Sequence, residues 1–171
     1  MLTDAWDLVD TPVGPITVVV DWGGRLVRLW FGRNWRALGR RAADRDPDRC
    51  AEVSGQLIEY FGGQRRRFEL AIAPAGSDFQ QRVWREVAAI PFGETRSYGE
   101  VAARLGGAAV ARAVGLANAA NPIPIVIPCH RVVGADGALV GYGGGLAVKA
   151  ALLRLEGARL ASLDQLPLDL G

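Results

Sequence analysis

The sequence is poor in the residues from which disulfide frameworks and metal sites are built. Its 171 residues include two cysteines, Cys50 and Cys129, and one histidine, His130. Three soft ligands scattered along the chain do not match the paired spacing of a structural zinc site, and two cysteines do not make a disulfide framework. We therefore expect no metal and no other cofactor.

Long hydrophobic runs are also missing. The longest apolar runs, such as Ile16–Val20 and Ile123–Pro128, are far shorter than the roughly 20 residues that span a bilayer. The first residues include acids where a secretory signal would carry basic residues followed by an apolar segment. These absences predict a protein that does not associate with membranes and resides in the cytoplasm.

The chain has no large excess of either charge. Its 20 basic and 18 acidic residues give a net charge of +2, which by itself does not indicate a nucleic-acid partner. Half of the residues are hydrophobic and 22% are charged, which excludes a disordered chain. At this length we expect one compact unit or two small packed halves.

Patterns in the first half predict mixed α and β structure. Residues 15–20 are rich in β-branched side chains, and residues 25–31 resume strand character after a glycine turn, so a hairpin is expected. The polar residues 40–49 are expected to form a loop. A helix ending at Gly62 and Gly63 is predicted by apolar residues at helical spacing, which are Val53, Leu57, Ile58 and Phe61.

The first half ends with one further predicted strand. Phe68, Leu70 and Ile72 alternate with other residues as in a half-buried strand, and residues 74–76 break the pattern. We place a domain boundary near Gly76. The expected organisation is an N-terminal domain over residues 1–76 and a C-terminal domain over residues 77–171.

The second half has the periodicity of helices. One helix is predicted through residues 79–90, with Ser77 or Asp78 as its cap. The segment Ser97–Glu100 matches a capping box and begins a second helix that runs through Leu105. A Gly-Gly turn then leads into an alanine-rich helix over residues 108–118. Two short helices joined by a glycine turn are a candidate helix-turn-helix.

The alanine-rich helix is almost bare of long side chains. A helix that reads bases in the major groove needs several long polar side chains, and this one offers mainly Arg112 and Asn118. Small side chains instead allow the close backbone approach that a minor groove about 6 Å wide demands. The alternative reading of the composition is an alanine-rich core helix.

The densest group of chemistry-bearing residues lies between Asn121 and Gly134. Three prolines flank an apolar run that cannot be helical, so Cys129 and His130 are expected in a rigid, extended or turning segment at the end of a short buried strand. Adjacent side chains on such a segment point to opposite sides, which favours a bridging water between the thiol and the imidazole. Cys50 has no histidine near it in the sequence, and we expect it to pack in the first helix.

The second half resembles the O6-alkylguanine-DNA alkyltransferase family over a long stretch. The motifs that carry the resemblance are Asp78-Phe79-Gln80, Ile90-Pro91-Phe92-Gly93, Ser97-Tyr98, Ala111-Arg112-Ala113-Val114-Gly115, Asn121-Pro122, Pro128-Cys129-His130-Arg131-Val132, Gly141-Tyr142-Gly143-Gly144-Gly145 and Leu155-Glu156-Gly157. The first half resembles the family more loosely, at residues 11–15 and 60–63. The resemblance implies an α+β protein, with a small ribonuclease-H-like domain followed by a helical, winged-helix-like domain.

The resemblance also implies a function and roles for catalytic residues. An alkyl group would move from O6 of guanine in DNA, and by extension from O4 of thymine, to Cys129. His130 would relay the thiol proton through a water, and Glu156 would orient the imidazole. Tyr98 would donate a hydrogen bond to the guanine ring, and Asn121 would tie the helix-turn-helix to the active-site segment.

A second set of residues would contact the flipped nucleotide and the double-stranded DNA, with the protein acting as a monomer. Arg112 would replace the extruded base in the duplex. The remaining contacts implied for DNA are Ala111, Ala113, Asn118 and Tyr98, and those implied for the pocket are Pro124, Val132, Tyr142, Gly143 and Gly144. Structural roles for Tyr142, as a core residue, and for Asn121, at a helix end, remain open alternatives.

The sequence departs from the family pattern in three respects, and three other functions are alternatives. The chain lacks the zinc ligands and the extra regulatory domain of some family members, and Gly143 stands where many have Ser or Ala, which predicts a wider pocket. The rivals are a non-catalytic binding protein of the same fold, a thiol hydrolase and a transcription factor. Cys129 argues against the first, the single histidine against the second, and the scarcity of base-reading side chains against the third.

Overall fold

The computed structural model describes residues 3–41 and 44–167. The chain divides into two compact units, Met1–Ala75 and Gly76–Gly171. Within the described residues, no helix is long and apolar enough to cross a membrane.

The first unit contains a three-stranded antiparallel sheet. Its strands β1 (Ala5–Thr11), β2 (Gly14–Val20) and β3 (Leu26–Phe31) are paired in that order. The β-branched run of β2 is buried from Ile16 to Val20 because this strand lies between two neighbours. The predicted hairpin of β2 and β3 is therefore confirmed, and β1 is an additional strand that the sequence pattern did not indicate.

The helix of the first unit, α1 (Pro47–Phe61), packs on β1 and β2. It begins at Pro47, with the Asp46 carboxylate accepting from the backbone of Arg49, and it ends at Gly62. The predicted helix is confirmed. The predicted loop over residues 40–49 is wrong at both ends, because a 3-10 helix reaches Arg41 and α1 has already begun at Pro47. Residues 42 and 43 of that loop lie outside the described residues.

The strand predicted at residues 68–72 is wrong, because only an isolated bridge joins Ile72 to Leu26. The backbone of Glu69 is satisfied by a side chain instead of a neighbouring strand. Its N–H donates to Gln56 Oε1 at 2.9 Å, and its carbonyl accepts from Gln56 Nε2 at 3.0 Å. The Gln56 side chain therefore takes the place of the strand-to-strand hydrogen bonds that the alternation of apolar residues at 68–72 predicted.

The second unit is mostly helical. It contains α2 (Asp78–Ala88), α3 (Tyr98–Ala103), α4 (Ala111–Ala119) and α5 (Leu146–Leu155), together with two short parallel strands, β4 (Arg96–Ser97) and β5 (Val132–Val133). α2, α3 and α4 pack on one another.

Capping residues set the starts of α2 and α3. Ser77 with Gln80, and Ser97 with Glu100, each form both hydrogen bonds of a capping box. α3 ends two residues before the predicted Leu105, and the alanine-rich helix opens with a 3-10 turn before α4 begins. The predicted pair of short helices around Gly106 and Gly107 is confirmed.

The segment before the reactive cysteine is not the predicted strand. Residues 121–128 form turns with one isolated bridge between Pro124 and Ile127, and Cys129–Arg131 is a short 3-10 helix. Ile125 has a φ of +74°, which is uncommon for a β-branched residue and reverses the chain direction locally. Proline lacks the N–H that a strand ladder requires, so the three prolines favour turns here.

Candidate active site

Cys129 lies in a buried turn beside a cavity of the second unit. The thiol residue is 6% exposed, and its backbone N–H donates to Ile127 O at 2.8 Å. The strand β5 follows this turn directly and pairs with β4, whose end leads into Tyr98. Strand pairing therefore brings Tyr98 to the cavity that Cys129 lines, although the two residues are 31 positions apart in the sequence.

The cavity has a volume of about 490 Å³. Its lining residues are Tyr98, Gly115, Asn118, Ala119, Asn121, Pro124, Cys129, Val140, Gly141, Tyr142 and Gly143. The lining is mainly apolar, as is usual in small-molecule pockets, and a few polar groups converge on it.

Most of the predicted pocket residues line this cavity, and two do not. Pro124, Tyr142 and Gly143 are in the wall. Val132 is fully buried in β5, and Gly144 is not part of the lining. Sequence reasoning also missed wall residues from two places, Gly115 and Ala119 on α4 and Val140 and Gly141 before Tyr142.

His130 is completely buried and is bound by Glu156. Its Nε2 atom lies 2.8 Å from Glu156 Oε1, while Nδ1 has no hydrogen-bond partner among the described residues. A carboxylate accepts hydrogen bonds, so Nε2 carries the proton and donates it. The neutral ring then presents Nδ1 as a free proton acceptor.

Arg131 holds the other side of the same carboxylate. Its Nε donates to Glu156 Oε2 at 2.9 Å and its Nη2 to Glu156 Oε1 at 2.8 Å, in the forked geometry that suits a guanidinium. Its Nη1 donates to Ile90 O at 2.6 Å. Sequence reasoning assigned no role to Arg131, and its only signal was its position next to His130.

The buried charges set the ionisation of this group. Burial would raise the pKa of Glu156, but the hydrogen bonds from His130 and Arg131 outweigh it and lower the pKa to about 2. Burial lowers the pKa of His130 despite the hydrogen bond to Glu156. At neutral pH the carboxylate is therefore ionised and the imidazole is neutral.

The two cysteines are both protonated at neutral pH in the free protein. Burial raises the pKa of Cys129 to about 11 and that of Cys50 to about 12. Hydrogen bonding from Asn121 and the charge of Lys149 act in the opposite direction at Cys129. Aspartates near Cys50 add to the increase there, so Cys50 is the less reactive thiol.

Asn121 and Asn118 both bind backbone next to Cys129. Asn121 donates from Nδ2 to Ile127 O at 2.8 Å and accepts from the backbone of Ile123 at 2.9 Å, so it closes the turn that precedes the cysteine. Asn118 is 6% exposed and donates to Cys129 O at 3.4 Å. Asn118, which the resemblance implied as a DNA contact, is therefore held against the active-site turn by the buried face of α4.

The opposite face of α4 is open to solvent. Arg112, Ala113 and Leu116 are exposed, and Arg112 makes no hydrogen bond or ion pair with any described residue. The buried face is held by Trp84 of α2, whose Nε1 donates to Ala117 O at 2.8 Å. α4 therefore has one face in the core and one available for a partner, with the cavity opening beside it at Gly115 and Ala119.

Metal-ligating side chains are not grouped in the part of the chain that the structure describes. No three His, Cys, Asp or Glu residues there are close enough to hold an ion together. The arrangement places a buried thiol next in sequence to a neutral imidazole whose Nε2 is bound by a carboxylate. It is therefore suited to nucleophilic chemistry at the sulfur.

Comparisons with known proteins match both halves of the chain. The 6-O-methylguanine DNA methyltransferase ribonuclease-like domain matches residues 5–74, and the DNA binding domain of the same family matches residues 78–158. The methylated-DNA–protein-cysteine methyltransferase of Mycobacterium tuberculosis is 46% identical over 151 residues, which cover 88% of this chain and 91% of the relative. That of Methanosarcina acetivorans is 42% identical over 152 residues, covering 88% and 97%.

Solved structures show the same similarity. A crystal structure of Mycobacterium tuberculosis O6-methylguanine methyltransferase aligns with a TM-score of 0.80 and 41% identity, covering 98% of each chain. The Mycobacterium tuberculosis protein OGT in complex with DNA aligns with a TM-score of 0.80 and 44% identity, covering 93% of this chain and 97% of that one. The fold class predicted from the sequence is confirmed. The chain belongs to the 6-O-methylguanine DNA methyltransferase family.

Proposed function

We propose that this protein repairs DNA by direct reversal, moving an alkyl group from O6 of guanine to the sulfur of Cys129. The observation that carries the proposal is the placement of Cys129 at a mainly apolar cavity, next to a histidine whose Nε2 is bound to Glu156 and whose Nδ1 is free. A cavity of about 490 Å³ accommodates a purine base with a small substituent.

The first step is removal of the thiol proton. His130 is adjacent to Cys129, and Nδ1 is its free acceptor, so we propose that a water carries the proton from the sulfur to Nδ1. Glu156 stabilises the imidazolium that forms, because its carboxylate is already ionised and bound to Nε2. Asn121 keeps the turn before Cys129 closed while this occurs.

The second step is the alkyl transfer itself. The thiolate forms an S–C bond as the bond between O6 and the alkyl carbon breaks. The electron pair of the broken O6–C bond stays on the guanine. Burial raises the pKa of Tyr98, so its hydroxyl remains protonated and donates a hydrogen bond to a ring nitrogen of the departing guanine. The proton lost by Cys129 returns to the guanine, so no other reactant is consumed.

The substrate we propose is double-stranded DNA, recognised by the exposed face of α4. A base inside a duplex cannot reach the buried Cys129, so the alkylated nucleotide is flipped into the cavity at a cost of a few kcal/mol. Arg112 is exposed and has no ion-pair partner among the described residues, so it is available to fill the gap left in the stack. Ala111 and Ala113 beside it allow close approach to the minor groove.

The reaction stops after one transfer. The thioether at Cys129 has no carbonyl for water to attack, unlike the acyl intermediate of a hydrolase. We propose that each molecule acts once, as a monomer, in the cytoplasm, and that O4-alkylthymine is a second substrate.

The test is mass spectrometry of the intact protein and its peptides after incubation with duplex DNA containing O6-methylguanine. We expect one added methyl group on the Cys129 peptide and at most one per molecule. Cys129→Ser abolishes the gain, whereas the matched variant Cys50→Ser retains it because Cys50 is buried and is not among the residues that line the cavity. DNA binding without any mass gain would overturn the proposal and point to a lesion-recognition protein.

A further inference from the structure

Lys149 is the only lysine in the sequence, and the rest of the 20 lysine and arginine residues are arginines. It lies in α5, and its side chain has no exposed surface. The strong use of arginine elsewhere makes this position exceptional. An ammonium is a compact group with three donors, whereas a guanidinium is planar and wider.

The surroundings of Lys149 fit an ammonium. Its Nζ donates to three carbonyl oxygens, at 2.7 Å to Val132, 3.1 Å to Val140 and 3.5 Å to Gly141. Val132 begins β5 directly after the reactive turn, and Val140 and Gly141 line the cavity. The ammonium therefore joins the cavity wall to the strand that follows Cys129.

Tyr98 shares one of these acceptors. Its hydroxyl donates to Val140 O at 3.4 Å. A Tyr98 that turns to donate to a bound base gives up its hydrogen bond to this carbonyl. Because Lys149 also binds Val140 O, the carbonyl keeps a partner when Tyr98 moves.

The charge of Lys149 also acts on the sulfur. Burial lowers the pKa of Lys149 to about 8, while the interaction with Cys129 raises it, and the same interaction lowers the pKa of Cys129. Lys149 also lowers the pKa of His130. The neighbouring ions Arg131 and Glu156 are paired with each other, so the effects of their opposite charges on the Cys129 sulfur largely cancel.

We propose that Lys149 is a positioning residue for the alkyl transfer, whose buried ammonium fixes the cavity wall at Val140 and Gly141 and favours the thiolate form of Cys129. The role of Lys149 in alkyl transfer rests on the function proposed above. Its effect on the ionisation of Cys129 concerns the free protein and is testable without an alkylguanine.

The first experiment measures the rate at which iodoacetamide alkylates Cys129 as a function of pH, by peptide mass spectrometry. We compare the wild type with Lys149→Met, which is similar in length and uncharged. The matched control is Arg154→Met, which removes a cation on the same helix that also binds carbonyls, those of Leu163, Leu166 and Pro167.

Below about pH 8, where Lys149 is charged, we expect the thiolate fraction and hence the alkylation rate of Lys149→Met to be about tenfold lower than in the wild type, and the two profiles to converge at higher pH, where the wild-type lysine has lost its proton. The rate of reaction with O6-benzylguanine falls by a similar factor, while Arg154→Met keeps the wild-type profile. A folded Lys149→Met protein with the wild-type pH profile and benzylguanine rate would overturn the proposal.

The second experiment uses the wild type, so it does not depend on whether the variant folds. Labelling with ¹⁵N-lysine gives a single ammonium resonance, because there is one lysine. We expect this ammonium to titrate near pH 8, well below the ordinary lysine value of 10.5, because it is buried at the cavity wall. A midpoint at the ordinary value would show that the ammonium is not held there and would overturn the proposal. A wild type that ignores alkylguanine but shows the lowered midpoint would contradict the proposed function alone.

Discussion

The carboxylate of Glu156 lies 2.8 Å from Nε2 of His130, and neither side chain has exposed surface. The same carboxylate receives two hydrogen bonds from Arg131, so one buried anion is shared by an imidazole and a guanidinium. This sharing determines both the tautomer of His130 and the stability of the site, and it leads to the first two predictions.

Glu156→Gln is expected to destabilise the protein by about 3 kcal/mol, because it leaves the buried Arg131 without a counter-charge. Urea unfolding at pH 7 measures the change. The double variant Glu156→Gln/Arg131→Met serves as the control and is expected to be more stable than the single variant, since it removes both charges. A single variant within about 0.5 kcal/mol of the wild type would contradict this account.

Stability is expected to fall in acid through Glu156. Its pKa in the folded protein is about 2, below the ordinary value of 4.5, so the unfolded chain binds the proton more readily. The stabilisation is complete above about pH 4.5 and is lost as the pH falls toward 2. Urea midpoints between pH 6 and pH 3 should decline less steeply for Glu156→Gln than for the wild type, and parallel curves would speak against the shift.

Gly93→Ala is expected to damage the site from the backbone side. Gly93 has a φ of +81°, and an added Cβ would lie 2.9 Å from the backbone oxygen of Glu156. We expect a loss of about 2 kcal/mol or more and a slower reaction, because both the left-handed conformation and the contact are unfavourable. The control is Gly63→Ala, where φ is +75° but nothing lies within 4 Å, so only the conformational cost remains. Equal losses in the two variants would exclude the contact as a cause.

Arg112→Ala is expected to slow repair of duplex DNA about tenfold, which corresponds to ~1.4 kcal/mol. The rate with free O6-benzylguanine should stay unchanged, because Arg112 is not part of the cavity lining. Arg85→Ala, on an exposed position of α2, is the matched control. An equal loss on duplex DNA and on the free base would show that Arg112 acts on the pocket instead of on DNA.

The absence of a side chain at Gly143 is expected to let the protein accept substituents larger than methyl. A Cβ at this position would meet nothing within 4 Å, so the wall is open there. Wild type is expected to react with O6-benzylguanine, and Gly143→Leu to slow that reaction more than the reaction with O6-methylguanine in DNA. Failure of the wild type to take the benzyl group, or an unchanged ratio of the two rates in the variant, would reject the hypothesis.

Features that depend on neighbouring residues could be predicted from the sequence. The capping box at Ser97, a cap at Ser77 or Asp78, the glycine turn at residues 106–107 and the hairpin of β2 and β3 were all indicated by residues a few positions apart. Caps and turns satisfy nearby backbone groups, so local sequence is sufficient to specify them. The reactive residues Cys129 and His130 were found in the same way, from one continuous motif.

Features that depend on distant residues were missed or predicted wrongly. The strand expected at residues 68–72 gave way to hydrogen bonds from Gln56, and the short strand expected before Cys129 gave way to turns. No local pattern showed that Arg131 binds Glu156, 25 positions away, or that Lys149 binds three carbonyls.

The sequence by itself determined the helices α1 to α4, the capping box of α3, the hairpin of β2 and β3 and the identity of the reactive pair, but it did not indicate α5. Only the tertiary structure decided which nitrogen of His130 is free, which residues line the cavity and where the one lysine places its charge. The physical reason is that a buried ion is stabilised only by the partners that folding brings to it, and here those partners are separated by up to 41 residues.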